Sequence, residues 1–171
     1  PFMTDNVLLH LGEEPRFDAI QTTDIKPALQ TAITEARAQI AEVKAQTHTD
    51  WANTVERLTD ITERVGRIWG VVSHLNSVVD TPELRAVYNE LMPEITVFFT
   101  EIGQDIELYN RFKTIKNSPE FTPLSPAQKT KLNHDLRSFV LSGAELPPEQ
   151  QAELAKLQTE GAQLSAKFSQ N

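Results

Sequence analysis

The sequence contains no cysteine, which excludes a disulfide framework and any metal site built from thiolates. A reducing compartment is therefore permitted but not required. Basic residues are also scarce: the formal net charge is −8, and Lys and Arg form no cluster. Because phosphate backbones and anionic lipid surfaces attract cations, this charge disfavours nucleic-acid and membrane-surface partners.

Long apolar runs are missing as well, and the longest uncharged stretch is far too short to span a bilayer. The N-terminus has no basic stretch followed by an apolar core, which a secretory signal would need. We therefore expect a cytoplasmic location. Pro1 and Phe2 precede the only early methionine, Met3, and we interpret them as residues added for expression.

Familiar catalytic patterns are absent. The four histidines are His10, His48, His74 and His134. No two of them are spaced i and i+4, so the zinc motif His-Glu-x-x-His does not occur. Serines have no G-x-S-x-G context, and the glycines form no phosphate-binding loop.

Two kinds of side chain nevertheless have alternative interpretations. His74 lies among polar residues on an otherwise apolar helix, so it either hydrogen-bonds a neighbouring helix or loop, which we prefer, or acts as a ligand or catalytic group. His48 is expected in a solvated loop. Trp51 and Trp69 are candidates for lining a peptide site, but aromatic residues at helical spacing more often belong to the core.

Carboxylates one helical turn apart are the remaining candidates for a metal site, as in Glu101 with Asp105 and Glu149 with Glu153. A carboxylate-bridged metal in a helical bundle also needs Glu-x-x-His on partner helices, which this sequence lacks. A solvated acidic face is the better interpretation. The sequence therefore predicts no catalytic, cofactor-binding or metal-binding residue in this chain.

Helical periodicity is what the sequence does contain. Its 171 residues, 39% of them hydrophobic, suffice for one domain with a buried core. The central pattern is an apolar stripe of Leu58, Ile61, Val65, Ile68, Val72, Leu75 and Val79. It predicts a long helix from about Trp51 or Asn53 to Val79. Thr81 and Pro82 predict a second helix directly after it, folded back as a hairpin whose stripe faces the first.

Four helices accompany the long one. One is predicted from about Asp24 to Val43, with Pro27 in its first turn and with a stripe of Leu29, Ile33, Ala36, Ile40 and Val43. Another is predicted from Pro82 to Ile115 as one helix kinked near Pro93, because its apolar stripe stays in phase.

The last two helices have clear start signals. Ser125, Pro126 and Gln128 form a capping box, and Gly143 is expected to end the helix that follows. The final helix is predicted from Pro148 to Asn171, with an apolar stripe of Leu154, Leu157, Gly161, Leu164 and Phe168.

These patterns predict an all-α fold, an elongated antiparallel bundle of about five long helices arranged as hairpins. Residues 1–16 are expected to form an irregular, loosely held segment, punctuated by Gly12 and Pro15, and residues 17–171 the helical domain. The last apolar pattern still continues at Asn171, so the chain looks truncated within its last helix.

Several separated strings are more specific than this periodicity. In chain order they are Trp51 with Asn53, VSHLNSV at 72–78, PELR at 82–85, LYNRFKTIK at 108–116 and the segment 135–147. Together they resemble the N-terminal helical region of the thimet oligopeptidase family of zinc metallopeptidases. The resemblance covers nearly the whole chain, from about Phe17 to Asn171.

The resemblance implies a cytoplasmic enzyme that hydrolyses short peptides inside a deep, helix-lined channel. In that family two histidines of His-Glu-x-x-His and a later glutamate bind the zinc, and the motif glutamate is the general base. These residues belong to the C-terminal half, so no catalytic or metal position carries over to this chain. The implied role of this part is a wall of the channel, inactive without the catalytic half.

A free-standing helical module, binding a partner protein through the exposed stripe of its last helix, stays an alternative. Under the preferred hypothesis, surface that normally packs on the missing half is exposed, particularly on the helix from Pro148 to Asn171. We therefore expect any dimer of the isolated chain to be an artefact.

Overall fold

A computed structural model describes residues 6–12 and 17–170. All regular structure within those residues is helical, which confirms the predicted all-α class. Six α-helices occur there: α1 (Thr22–Ala45), α2 (Arg57–Val79), α3 (Pro82–Gly103), α4 (Ile106–Lys116), α5 (Pro126–Ser142) and α6 (Pro148–Gln170). Across the same residues, none of these helices combines the length and apolarity that a membrane span requires. Pro1 to Met3, Pro15 and Asn171 lie outside the described residues.

The described N-terminal residues pack against α1. Val7–His10 forms a short 3₁₀ helix in which Leu8 is only 1% exposed. The Asn6 amide Nδ2 donates a hydrogen bond to the Asp24 carbonyl at 2.8 Å. Residues 6–12 therefore contact the helical domain, and the expectation of a loosely held segment stays a prediction. A second 3₁₀ turn, Phe17–Ala19, leads into α1.

The core forms chiefly where α1 packs on α2. The five apolar residues predicted for the α1 stripe are all buried. On α2 the predicted stripe is buried from Leu58 to Leu75, whereas Val79 at the end of the helix is 53% exposed. Because each buried Leu, Ile or Val contributes about 1.5–3 kcal/mol, this contact supplies much of the driving force for folding.

The beginnings of α1 and α2 differ in detail from the predictions. α1 begins at Thr22, two residues before Asp24, so Pro27 lies in the second turn rather than the first. A π-helical segment, Trp51–Glu56, precedes α2 and begins where the long helix was predicted to start. The Asn53 N–H donates to the Asp50 carboxylate at 2.7 Å, which caps this segment.

A short turn joins α2 to α3 in a helical hairpin, and α3 begins at Pro82 as predicted. Asp80 adopts a left-handed conformation with φ of 47°, and the Leu84 N–H donates to the Thr81 hydroxyl at 3.2 Å. The Arg85 guanidinium donates to the Asp80 carboxylate at 2.6 Å across the turn. The hairpin is not the main contact of either helix, however, because α2 packs most extensively on α1 and α3 on α6.

The prediction of one helix from Pro82 to Ile115 is wrong. α3 continues through Pro93 but ends at Gly103, and α4 begins at Ile106. The break occurs because the Asp105 side chain caps a new helix, accepting from the Glu107 and Leu108 N–H groups at 3.0 and 3.1 Å. The predicted kink at Pro93 stays a prediction, as does the elongated antiparallel arrangement of the bundle.

Asp105 also ties α4 to α1. The Lys44 ammonium donates to the Asp105 carboxylate at 2.8 Å. This hydrogen bond raises the pKa of Lys44 above its ordinary value, although partial burial of the amine opposes the rise. One carboxylate therefore fixes both the start of α4 and its position against α1.

The apolar residues of α5 and α6 are only partly covered. α5 buries Leu132 and Phe139, and Gly143 ends it with φ of 97°, as expected. On α6 only Leu154 of the large residues in the predicted stripe is partly covered. The rest of that stripe is exposed because a different face of α6, rich in small and polar residues, packs on α3.

Two glycines give a matched test of the helix packing. A Cβ added to Gly103 would lie 2.7 Å from the Ser142 Cβ, whereas one added to Gly70 would meet nothing within 4 Å. We expect Gly103→Ala to destabilise the protein by about 1–3 kcal/mol through overpacking. Gly70→Ala should stabilise it by about 0.5–1 kcal/mol through helix propensity. Urea denaturation followed by circular dichroism measures both; equal effects would contradict the close α3–α5 approach.

Tyr109 provides a pH-dependent contact between α4 and the connection from α5 to α6. Its ring packs on Phe139, and its hydroxyl donates to the Glu145 carboxylate at 2.6 Å. The pKa of Tyr109 is raised, first by this hydrogen bond and then by burial and by the carboxylate charge.

We expect Tyr109 to ionise above its ordinary pKa of about 10. Because the pKa in the folded state exceeds that of the unfolded state, the stability from this contact is complete below pH about 10 and is lost as the pH rises through the folded value. Absorbance titration of tyrosinate should show a late-ionising tyrosine that Tyr109→Phe removes. Ionisation of Tyr109 at or below its ordinary pKa would contradict the contact.

Candidate functional site

A cleft of about 620 Å³ lies between α2, α3 and the C-terminal half of α6. The side chains of Trp69 on α2 and Tyr88 on α3 line it, with their ring centroids 4.9 Å apart and their planes 11° apart. Both side chains are half-buried. The stacked rings give the cleft a broad apolar surface, whose position follows from the turn that brings α3 back beside α2.

Polar groups surround this aromatic surface. The Asn76 Oδ1 is buried and accepts no hydrogen bond from the described residues. Because an unpaired buried acceptor is costly, Asn76 favours a group that brings an N–H or O–H into the cleft. Asp80 and Arg85 form an ion pair at the rim, so their charges largely cancel there.

The wall contributed by α6 consists of small residues, namely Ala162, Ser165, Ala166 and Ser169. Their size leaves space above the Trp69 and Tyr88 rings. The cleft thus combines an apolar platform with a hydrogen-bond acceptor, which suits binding. It contains no histidine, and its Ser73 and Ser77 have no base placed against them among the lining residues, so it offers no nucleophile–base pair.

The histidines do not converge on the cleft. His74 is exposed and lies against the Phe17 ring, 5.1 Å between centroids, which favours a packing contact over the alternative of a ligand. His48 is in the loop after α1 with a side chain 78% exposed, as predicted. His134 is exposed on α5, and His10 ends the N-terminal 3₁₀ helix.

The carboxylate pairs proposed from the sequence are divided between different cations. Glu101 accepts two hydrogen bonds from Arg37 at 3.2 Å, whereas Asp105 pairs with Lys44. Glu149 and Glu153 are exposed on α6. Within residues 6–12 and 17–170, no three His, Cys, Asp or Glu side chains lie close enough to hold a metal ion together.

The two tryptophans have different positions. Trp51 packs against the core and its backbone N–H donates to the Glu120 carboxylate at 3.0 Å, whereas Trp69 lines the cleft. Sequence reasoning did not single out Asn76 or Arg85 as site residues. The available signal was their position inside VSHLNSV and PELR, the strings that carried the family resemblance.

Comparison with known proteins supports that resemblance. The model of the N-terminal domain of neurolysin and thimet oligopeptidase matches residues 29–151. Oligopeptidase A of Haemophilus influenzae is 37% identical over 166 residues, covering 97% of this chain and 24% of its own length. The probable cytosolic oligopeptidase A of Arabidopsis thaliana is 33% identical over 169 residues, covering 99% of this chain and 24% of its own length.

A more distant relative is the dipeptidyl carboxypeptidase of Escherichia coli, 26% identical over 171 residues, which cover 99% of this chain and 25% of the relative. The chain therefore spans about a quarter of the length of the curated relatives it matches. The matches confirm the predicted likeness to the N-terminal region of this family, and within the family the chain is similar to oligopeptidase A.

The aromatic stack is testable by two substitutions at one position. Tyr88→Ala removes the ring that packs on Trp69 and should destabilise the protein by about 1–2 kcal/mol more than Tyr88→Phe, which keeps it. Urea denaturation gives the two free energies of unfolding. Near-ultraviolet circular dichroism should lose Trp69 signal only in Tyr88→Ala. Indistinguishable variants would mean that the stack does not order the cleft.

Proposed function

Because this chain belongs to the neurolysin and thimet oligopeptidase family, we propose that it is the N-terminal, channel-wall part of a zinc-dependent enzyme that hydrolyses short peptides. The observation that carries the proposal is the near-complete coverage of this chain by relatives about four times its length. Those relatives are named as peptidases. The N-terminal position follows from the domain that the matching family model describes.

The described residues of this chain do not fit a zinc site, because their histidines and carboxylates do not gather into a donor set. We therefore assign the zinc to the remainder of the longer protein. Zinc bound there would polarise the scissile carbonyl and lower the pKa of a bound water. The chain itself has neither task and is proposed to be inactive alone.

This chain contributes by shaping one side of the channel and by excluding folded proteins and bulk water from it. Helices α1 to α5 share one apolar core, and α6 packs on α3, so the six helices together can wall a channel against folded proteins and bulk water. The cleft at Trp69, Tyr88 and Asn76 is the part of this wall best suited to contact a peptide, since it offers an apolar surface and an acceptor for a backbone N–H. We propose a cytoplasmic location, as the name of one Arabidopsis relative suggests for that protein.

Zinc content and hydrolysis of a fluorogenic peptide test the proposal in two preparations. We expect the 171-residue chain to bind no stoichiometric zinc and to cleave nothing. The longer natural protein should bind zinc, cleave the peptide and lose this activity when a chelator removes the metal. Zinc-dependent hydrolysis by the pure chain would contradict the assignment, whereas a longer protein without hydrolysis would favour the interaction-module alternative.

A further inference from the structure

One face of α6 is apolar and uncovered. Leu157, Leu164 and Phe168 are 58%, 59% and 82% exposed, and Gly161 lies between them on the same face. We call these four residues the α6 stripe. A Cβ built on Gly161 meets nothing within 4 Å, so the surface at the centre of the stripe is open to a closely approaching neighbour.

The α6 stripe is distinct from the face that holds α6 in the fold. That packing face uses polar contacts: the Thr100 hydroxyl donates to Gln158 Oε1 at 3.1 Å, and the Gln104 and Gln151 amides each donate to the other's backbone carbonyl. The stripe lies about 120° around the helix from this face. Its apolar residues therefore contribute little to the packing of the chain described here.

A third face of α6 already supplies the contact with water. Four charged residues are exposed on this face, namely Glu153, Lys156, Glu160 and Lys167. The Lys156 Nζ lies 4.0 Å from the Glu160 Oε1. A surface helix needs one packed face and one polar face. The additional apolar face indicates a second packing partner, because contiguous exposed apolar residues commonly mark an interaction surface.

We propose that the α6 stripe packs against the part of the longer polypeptide that this chain does not include, an inference that rests on the proposed function. The length outside this chain is large, since the chain covers 24% of the Haemophilus relative. A contact within one polypeptide needs little area, because tethering replaces the free-energy cost of association.

A second copy of the chain fits the stripe less well. Each copy carries a formal net charge of −8, so two copies repel each other. Three large side chains also offer only on the order of 300 Å² per copy, whereas stable interfaces bury about 1,200 Å² or more in total. The remainder of the same polypeptide is the occupant that avoids both costs.

Thiol labelling tests the contact in the longer natural protein, because this segment has no cysteine of its own. Leu164→Cys and Phe168→Cys report on the stripe, and Glu160→Cys on the charged face is the matched control. N-ethylmaleimide labelling of the α6 peptide is followed by mass spectrometry in the longer protein and in the 171-residue chain. We expect labelling of both stripe positions to be at least about tenfold slower in the longer protein, with the control changed less than about twofold.

Equal labelling of stripe and control positions in the longer protein would overturn the inference. The inference would also be overturned if the control cysteine at position 160 were protected from labelling as strongly as the stripe cysteines. Protection of the stripe cysteines that appears only in the short chain, as its concentration rises, would overturn it too, because it would identify a second copy as the occupant. The double variant Leu164→Ser with Phe168→Ser gives a second readout: it should lower the thermal midpoint of the longer protein and leave that of the short chain unchanged. Failure of the proposed function is distinguishable, because it shows as absent peptide hydrolysis whatever the labelling result.

Discussion

The burial of the α1 stripe against the α2 stripe is the contact on which the rest of this structure depends. Both helices turn a continuous row of aliphatic side chains toward each other, and the N-terminal 3₁₀ helix, α3 and α4 are added around that pair. Arg111 on α4 closes the arrangement by donating to the carbonyls of Lys44 and Gln46, both at 2.6 Å. The half-buried guanidinium of Arg111 therefore holds the loop between α1 and α2 in place.

Features with a local cause were predictable from the sequence. The Thr81 and Ser125 caps and the Gly143 stop need only a few neighbouring residues, and all occur where expected. The break before α4 was missed because an apolar stripe shows which residues share a helix face but not whether the helix is continuous. The apolar residues keep the same helical spacing on both sides of Asp105, which caps the new helix. Likewise, periodicity shows that a face of α6 is apolar but cannot tell what covers it.

The candidate site shows the same limit. Trp69 was identifiable as an aromatic residue on an apolar helix, but its stacking partner Tyr88 lies on the next helix and meets it only through the hairpin. The unpaired acceptor of Asn76 is visible only once its neighbours are placed. By contrast, the sequence alone shows that His-Glu-x-x-His does not occur in this chain, because that motif is defined by local spacing.

The proposed role, a channel wall without catalytic groups, is physically reasonable, because packed helices can shape and dehydrate a site whose reactive groups lie elsewhere. Reading the natural coding frame onward from the Asn171 codon tests this most directly. The predicted result is an open frame that encodes His-Glu-x-x-His further downstream. A stop codon directly after Asn171 would contradict it and would leave a self-contained helical module.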